Sequence, residues 1–447
     1  MHPINPNLAR VILALCESVL ENRGGNSDAI FISLKSIFLS SVVFVNMTAL
    51  AQSQPADSTK HKKISNQVVQ KKPYLEIFGF ILTDVIYDFK QMNPQWYDVP
   101  RPTKLPSYKD QFAPDGQIYF STRETRFGTR SYFPTPWGPL TTWFEIDLFG
   151  SGPDAGQTTF HLRHAYAELG KFGAGQTWST FMDIDVFPND FDYWGPNGMA
   201  NIRNPQIRYM PIQGDTKLTI ALEKPGGTAD DGQYADMIEL KNVKPQFSLP
   251  DLTAEYRYGR SWGYIELAGV LRRLKWKDLD TSGTDYSGKQ TGWGLNLSSG
   301  IKLLKKDMIH LQLVYGEGIE NYIRDAPADI AIKTISTNSI EGVALPITGF
   351  VGFYDHYWSN QLSSTIGYSS VNINNSNGQA PNAFKMGEYI LANLIFTPVK
   401  NVMLELELQY LKRKNFSDGW TTTDPRIQFS CRFNFSQKFY HELNTAP

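Results

Sequence analysis

The segment near the end of the chain, residues 426–439, limits the possible folds more than any other stretch. Its alternate positions are apolar except for one glutamine: Ile427, Phe429, Cys431, Phe433, Phe435, Gln437 and Phe439. The positions between them are polar: Arg426, Gln428, Ser430, Arg432 and Asn434. A period of two indicates an extended strand with one apolar face and one hydrated face. An edge strand of a soluble sandwich would need a cover for four phenylalanines, whereas a late strand ending on an aromatic residue is typical of outer-membrane β-barrels.

The composition agrees with a barrel and excludes several other classes. The 447 residues include 22 Tyr, 27 Phe and 10 Trp, enough for the aromatic girdles of a barrel, although a soluble all-β protein could be as aromatic. After residue 51 there is no apolar run of about 18 residues, so the mature chain is predicted to have no membrane-spanning helix. The net charge of −1 lacks the basic surplus that a nucleic-acid partner requires.

Residues 1–51 are predicted to be a leader that includes a signal peptide. Lys35 precedes an apolar run over residues 36–45, and Ala-Leu-Ala at residues 49–51 is a small-x-small cleavage site. The stretch before Lys35 is longer than an ordinary charged n-region, so we expect translation to start further downstream. The remaining chain is divided into a flexible periplasmic segment (residues 52–73), the barrel (residues 74–439) and a C-terminal tail (residues 440–447).

Between residues 74 and 439 the extended segments predict sixteen strands. From a periplasmic N-terminus, connections after odd-numbered strands should be long and external, and the others should be tight turns. The predicted long connections are 90–115, 150–157, 179–202, 225–250, 275–289, 317–346, 373–384 and 415–425. The short ones include 134–138, 213–215, 304–306 and 398–400. A soluble sandwich has no reason to place every long loop at one end, so the predicted fold class is an all-β transmembrane antiparallel barrel.

Side-chain parity also assigns the two faces of the wall. In the fifteenth strand Leu404, Leu406 and Leu408 are predicted to face lipid, while Glu405 and Glu407 face the lumen. The second strand is an exception. If its lumen face is Glu124, Arg126, Gly128 and Arg130, then its outward side chains are Ser121, Arg123, Thr125 and Thr129. An arginine at the bilayer midplane costs about 2–4 kcal/mol on a lipid face, so this strand is predicted to contact another subunit. The alternative is a register that is wrong by one residue.

The third external connection is predicted to fold inward and narrow the lumen. Its aromatic and acidic residues alternate, and those singled out are Trp178, Phe181, Asp183, Asp185, Asp190, Asp192 and Trp194. A loop this apolar would not stay extended in water, and inside the barrel it could place aromatic rings on the wall and carboxylates at the passage. The alternative is an external lid or a partner-binding loop.

Basic side chains are predicted to line the wall opposite this loop. The candidates are Arg126, Arg130, His161, Arg163, Arg208, Arg272 and Arg432. A basic wall facing an acidic loop would create a transverse field, and guanidinium groups suit the binding of passing carboxylates. The alternative for each arginine alone is an ion pair with a neighbouring wall carboxylate.

Several motifs resemble the DcaP-like porins over most of residues 74–439. They are R-F-G-T-R (126–130), L-R-H-A-Y-A-E-L-G (162–170), G-Q-T-W-S-T-F-M-D (175–183), R-N-P-Q-I-R-Y (203–209) and A-N-L-I-F-T-P-V (392–399). The resemblance implies a sixteen-stranded, homotrimeric channel in a Gram-negative outer membrane that passes small, often dicarboxylic, anions. Matching positions carry over Arg126, Arg130, Arg163 and Arg208. The sequence departs from the family in lacking a coiled-coil pattern over 52–73 and in continuing beyond Phe439.

The predicted function is passive diffusion of small anionic solutes, with (di)carboxylates as the expected class, through a barrel in contact with outer-membrane lipid. A general non-selective porin is one alternative. A barrel hydrolase is another, but His161 and His164 are predicted on opposite strand faces and no nucleophile motif accompanies them. Neither a cofactor nor a metal site is expected. With Cys16 in the leader, Cys431 has no partner for a disulfide or a cysteine-based cluster.

Overall fold

The computed structural model describes residues 72–441 except 113, 227–242, 280–284, 305 and 337–338. The predicted leader, the periplasmic segment up to residue 71 and the tail beyond residue 441 lie outside the described residues. Within the described part, no helix is both long enough and apolar enough to cross a membrane.

The described residues contain twenty β-strands, and sixteen lines of strand form one closed antiparallel barrel. The strands are β1 Tyr74–Asp88, β2 Gln117–Ser121, β3 Arg126–Thr135, β4 Gly138–Phe149, β5 Thr158–Leu169, β6 Phe172–Trp178, β7 Arg203–Ile212, β8 Lys217–Glu223, β9 Val243–Pro245, β10 Asp251–Arg260, β11 Gly263–Asp278, β12 Gly288–Leu303, β13 Asp307–Glu317, β14 Ile330–Ser336, β15 Ser339–Ala344, β16 Pro346–Tyr357, β17 Leu362–Ile373, β18 Phe384–Val399, β19 Val402–Asn415 and β20 Thr421–Tyr440. β2 and β3 share one wall position beside β1, β9 continues the line of β10 along β11, and β14–β15 is a separate hairpin.

The barrel closes where the last strand pairs with the first. β20 is antiparallel to β1 from Tyr74 opposite Tyr440 to Asp88 opposite Arg426. The alternation in residues 426–439 predicted this strand. β19 covers the second edge of β20, so the strand leaves no unpaired backbone edge beside its apolar outer face. The predicted all-β barrel of about sixteen strands is confirmed.

The two faces of the wall follow the predicted parity. In β19, Leu406 and Leu408 are each 39% exposed on the outside, while Glu405 and Glu407 are buried inside. The connections also alternate between short and long, as predicted. The short ones, at one end, are 136–137, 170–171, 213–216, 261–262, 304–306, 358–361 and 400–401. The long ones, at the other end, are 89–116, 150–157, 179–202, 224–250, 279–287, 318–345, 374–383 and 416–420.

The predicted polar outer face of the second strand is wrong for Ser121 and Arg123. The strand is interrupted between Ser121 and Arg126, where the Thr125 N–H donates to the Thr122 carbonyl at 3.0 Å. The interruption changes the parity, so Ser121 and Arg123 are both buried in the interior.

Arg123 is bound inside the barrel rather than exposed to lipid or a subunit. Its Nη1 is 2.7 Å from Asp98 Oδ1 and its Nη2 donates to the Gly150 carbonyl at 2.9 Å. The outer surface instead carries Ile118 and Phe120, each more than half exposed. The outward face of this strand therefore gives no support for a subunit contact, and a trimer remains an expectation from the resemblance.

Candidate functional site

Residues 179–202 pack inside the barrel against two other long connections, 89–116 and 318–345. Phe181 is fully buried, and its ring meets Tyr322 of the 318–345 connection edge-on at 5.7 Å. Trp194 is buried 5.1 Å from Trp96 of the 89–116 connection. These rings bury each other's apolar surface, and the removal of that surface from water favours the position of this apolar loop inside the barrel.

The 179–202 connection crosses the lumen and is bonded to several sides of the wall. The Phe181 carbonyl accepts from Asn296 of β12 at 2.9 Å. The Asn189 carbonyl accepts from Thr365 of β17 and from Asn393 of β18, both at 2.9 Å. The segment returns past β13, where the Ala200 N–H donates to Gln312 at 2.9 Å.

Asp183 is the strongest polar anchor of this connection. Its carboxylate is buried and lies 2.5 Å from Arg257 Nη2, and it accepts from Tyr264 at 2.7 Å and from Ser298 at 2.6 Å. Charge-assisted bonds to a buried carboxylate are about twice as strong as neutral ones. Asp185 is bound to the same arginine, but 56% of its side chain is exposed.

The other two predicted aspartates do not face an open passage. Asp192 is buried and accepts from Tyr389 and from the Trp194 N–H, both at 2.9 Å. Asp190 has one buried carboxylate oxygen without a hydrogen-bond partner. Burial, and then the neighbouring carboxylate of Glu407, raise the pKa of Asp190 well above its usual range. Of the four predicted loop aspartates, only Asp185 presents its charge to water.

All seven predicted basic residues lie on the inner side of the wall, and four of them are compensated by carboxylates. Arg163 is bound to Glu145 at 2.7 Å and to Asp147 at 2.8 Å. His161 contacts the same Asp147 at 3.0 Å. Arg272 is bound to Asp251 and Asp329, at 2.9 and 3.0 Å, and Arg126 is bound to Glu124 at 2.9 Å.

The other three, Arg130, Arg208 and Arg432, form no ion pair within the described part of the chain. Arg130 is exposed and its guanidinium lies 4.7 Å from the Trp143 ring centroid. Arg208 is half-buried and donates to the Trp178 carbonyl at 2.7 Å. Arg432 is half-buried.

The surroundings of Arg432 show where along the barrel these unpaired arginines lie. Its guanidinium lies 3.9 Å from the Phe80 ring centroid and 5.3 Å from that of Phe191 in the inward loop. Arg432 is opposite Met403, directly after the short connection 400–401. Arg130 and Arg208 also lie towards short connections, so the free arginines line the lumen on the side of the tight turns.

The prediction that His161 and His164 lie on opposite faces is wrong. The pairing of β4 with β5 shifts register between Glu145 and Ile146, and this β-bulge inserts one extra residue at Arg163. His164 is therefore buried inside, 3.6 Å from the Trp143 ring with the two rings stacked, and its Nδ1 is 3.0 Å from Thr177 Oγ1. His161 contacts the carboxylate of Asp147, and no carboxylate contacts His164 among the described residues.

Several interior arginines are not among the seven predicted wall residues, although strand parity places Arg413 and Arg426 on the inner face. These interior arginines are Arg101, Arg123, Arg203, Arg257, Arg324, Arg413 and Arg426. Arg257 was predictable by parity, since it lies two residues after Glu255 on the same face of β10. Arg203 lies 4.9 Å from the Trp178 ring centroid. Arg101 and Arg324 were not, because connections without alternation give no parity. Among described residues, no group of three or more His, Cys, Asp or Glu residues could hold a metal ion.

Comparisons with known proteins agree with this architecture. A family model described as DcaP outer membrane protein matches residues 43–435. The crystal structure of the outer membrane channel DcaP of Acinetobacter baumannii is similar at 22% identity and a TM-score of 0.68, covering 81% of this chain and 98% of that chain. The anion-selective porin from Comamonas acidovorans has 13% identity and a TM-score of 0.54, covering 81% of this chain and 100% of that chain. OmpT of Vibrio cholerae has 10% identity and a TM-score of 0.51, covering 82% and 99%. No curated protein matches the sequence.

Proposed function

The chain belongs to the DcaP outer membrane protein family and is a porin-type channel of the Gram-negative outer membrane, and from this premise we propose that it conducts small anions, carboxylates above all. One observation carries the proposal: Arg130, Arg208 and Arg432 present charge to the lumen without a carboxylate partner among the described residues. The resemblance of the fold to an anion-selective porin agrees with it.

The strength of attraction suits conduction. A carboxylate 4 Å from one guanidinium gains about 4 kcal/mol at an effective dielectric constant of 20 and about 1 kcal/mol in bulk water. The exposed Arg130 belongs near the lower value and the half-buried Arg432 lies between the two. Binding of this size concentrates anions in the lumen and still lets them leave, as conduction requires.

A pair of guanidinium groups on one ring supports dicarboxylates as a preferred class. The guanidiniums of Arg126 and Arg432 lie 5.1 and 3.9 Å from the Phe80 ring centroid. Glu124 forms an ion pair with Arg126 at 2.9 Å and none with Arg432, so Arg432 is the less compensated of the two. A solute with two carboxylates can contact both arginines at once, and the second contact adds to the first because the two ends are linked.

The alternative of a general porin rests on the compensated arginines. If all interior arginines only satisfied wall carboxylates, as Arg163 and Arg272 do, the lumen would have little net preference. The three unpaired arginines favour the anion channel. The barrel fold and the match to the DcaP outer membrane protein family support a channel and not an enzyme.

The test removes the unpaired charges together. The triple variant Arg130→Gln, Arg208→Gln, Arg432→Gln should shift the reversal potential in a KCl gradient towards cation preference and slow succinate entry into liposomes relative to a neutral sugar. The single variants Arg432→Gln and Arg260→Gln form a matched pair, because Arg260 is exposed on the outer side near the tight turns. Arg432→Gln should shift the potential and Arg260→Gln should not. An unchanged succinate-to-sugar ratio in the triple variant would establish the general porin instead.

A further inference from the structure

Five cationic side chains cluster on the outward face of three neighbouring strands, near the end with the long connections. They are Lys244 of β9, Arg273, Lys275 and Lys277 of β11, and Lys289 of β12, and we call them the basic rim patch. None of the five forms an ion pair within the described part of the chain, whereas the outward Lys412 of β19 does, with Glu388 at 2.6 Å. The lumen arginines do not contribute, since they lie on the other side of the wall.

The strand register places like charges directly opposite each other. Lys275 pairs with Lys289 across β11 and β12, and Lys277 pairs with Lys244 across β11 and β9. Directly opposed like charges on one face of a sheet are destabilising, because their Cβ atoms are only about 4.5–5.5 Å apart. Two consecutive pairs of this kind on one exposed face indicate that an external anion compensates them.

Among the described residues, opposite charge is present only at the margin of the patch. Glu317 of β13 is on the same outward face, but Trp293 of β12 is its direct partner. Asp285 lies near Lys277 beyond the end of β11 and is exposed. The central pair of Lys275 and Lys289 is therefore left to solvent or to a ligand.

The position of the patch relative to the membrane interface indicates which kind of ligand it can bind. Just below it, Leu271 is 52% exposed opposite Trp293, and Trp293 meets Tyr315 edge-on at 5.8 Å. Aromatic residues of this kind mark the membrane interface of a barrel. Arg273 lies about eleven residues from Trp262 in the tight turn; at ~3.3 Å per residue and ~35–45° tilt it is about 26–30 Å higher, just above an apolar band of about 25 Å.

We propose that the basic rim patch binds the phosphate groups of a phosphorylated glycolipid in the outer leaflet. The ammonium groups of Lys275 and Lys289 would contact phosphate oxygens, and the acyl chains would lie on the exposed Leu252 and Leu271 directly below. A soluble phosphate could use the cations but gains nothing from the leucines. The adjoining apolar surface is the reason for assigning a lipid.

The experiment measures lipid retained by the purified full-length protein. Parent protein and the variant Lys275→Gln/Lys289→Gln are washed in detergent with purified lipopolysaccharide, and bound lipid is quantified by native mass spectrometry. The matched control is Lys302→Gln/Lys400→Gln, which removes two exposed lysines at the opposite rim, one of them from the same strand β12. Enzymatically dephosphorylated lipopolysaccharide and inorganic phosphate are the two further probes.

Parent and control should retain the phosphorylated lipid, and the patch variant should lose at least ten times more of it on washing. The dephosphorylated lipid should bind the parent as weakly as the phosphorylated lipid binds the patch variant. Equal retention by parent and patch variant would overturn the proposal. Displacement of the lipid by inorganic phosphate at equal concentration would also overturn it, because the apolar surface would then add nothing.

Discussion

Replacing Asp183 by alanine should release the inward connection, residues 179–202, from the wall. The carboxylate is buried and bonded to Arg257, Tyr264 and Ser298, which belong to β10, β11 and β12. Breaking a buried ion pair by removing one partner typically costs about 3–5 kcal/mol. Arg257 keeps Glu266 at 2.6 Å in the variant, so the lower value of about 3 kcal/mol is the better estimate.

This cost predicts a measurable change in the channel. At about 1.4 kcal/mol per factor of ten, a loss of about 3 kcal/mol raises the ratio of detached to anchored connection about a hundredfold. Since the connection occupies the lumen, single-channel currents of Asp183→Ala in planar bilayers should show frequent excursions to higher conductance. Hydrogen exchange over residues 179–202 should accelerate at the same time.

Asp185→Ala is the matched control, because it removes a second carboxylate from the same arginine. Its side chain is 56% exposed, so solvent screens the interaction and the loss should be about 0.2–1 kcal/mol. That changes the same ratio by less than about sixfold. Identical current noise and exchange rates in the two variants, with both barrels folded by gel mobility, would refute the anchoring argument.

Three further outcomes are expected. Burial raises the pKa of Asp190, so its contribution to the stability of the inward connection is present near pH 4 and is lost as the pH rises. Asp190→Asn avoids this loss, so at neutral pH residues 179–202 should exchange hydrogen more slowly in the variant than in the parent protein. Arg123→Leu leaves Asp98 buried without its partner, so it should lower the unfolding temperature, at a cost of about 3–5 kcal/mol, without changing the subunit number. The resemblance to the family implies a trimer, so the mass in mild detergent should be three chains, and a single-chain mass would contradict this.

The wall of the barrel could be predicted because lipid and water act on alternate residues. β19 and β20 alternate over most of their length, with Gln437 as an exception, and their two faces follow from that pattern. The sequence did not predict the two places where the backbone leaves the pattern. The interruption between Ser121 and Arg126 and the bulge at Arg163 each change the parity downstream, and neither is marked by glycine or proline.

The inward position of residues 179–202 was predicted from the sequence, but the partners of their carboxylates were not. Its aromatic content is a property of the segment itself and indicates burial. The partners of Asp183 and Asp192 are set by how the loop crosses the barrel, since Arg257 and Tyr389 lie far away in the chain. Contacts of this range come from the closed fold, and strand alternation carries no information about them.

The position of the inward connections explains why the interior contains two kinds of arginine. At the level of the connections, side chains are buried, and a charge with neither a carboxylate nor carbonyl acceptors would cost several kcal/mol. Arg413 is bound there by the carbonyls of Thr103 and Asn382, at 2.8 and 3.1 Å. Arg272 and Arg257 accordingly have two or more carboxylates each. Arg130 and Arg208 lie towards the tight turns, where their side chains are exposed and half-buried, and a guanidinium in contact with solvent needs no carboxylate. Charge that is free to select solutes can persist only where packing does not require its neutralisation, so the selective part of the channel should lie between the inward connection and the periplasm.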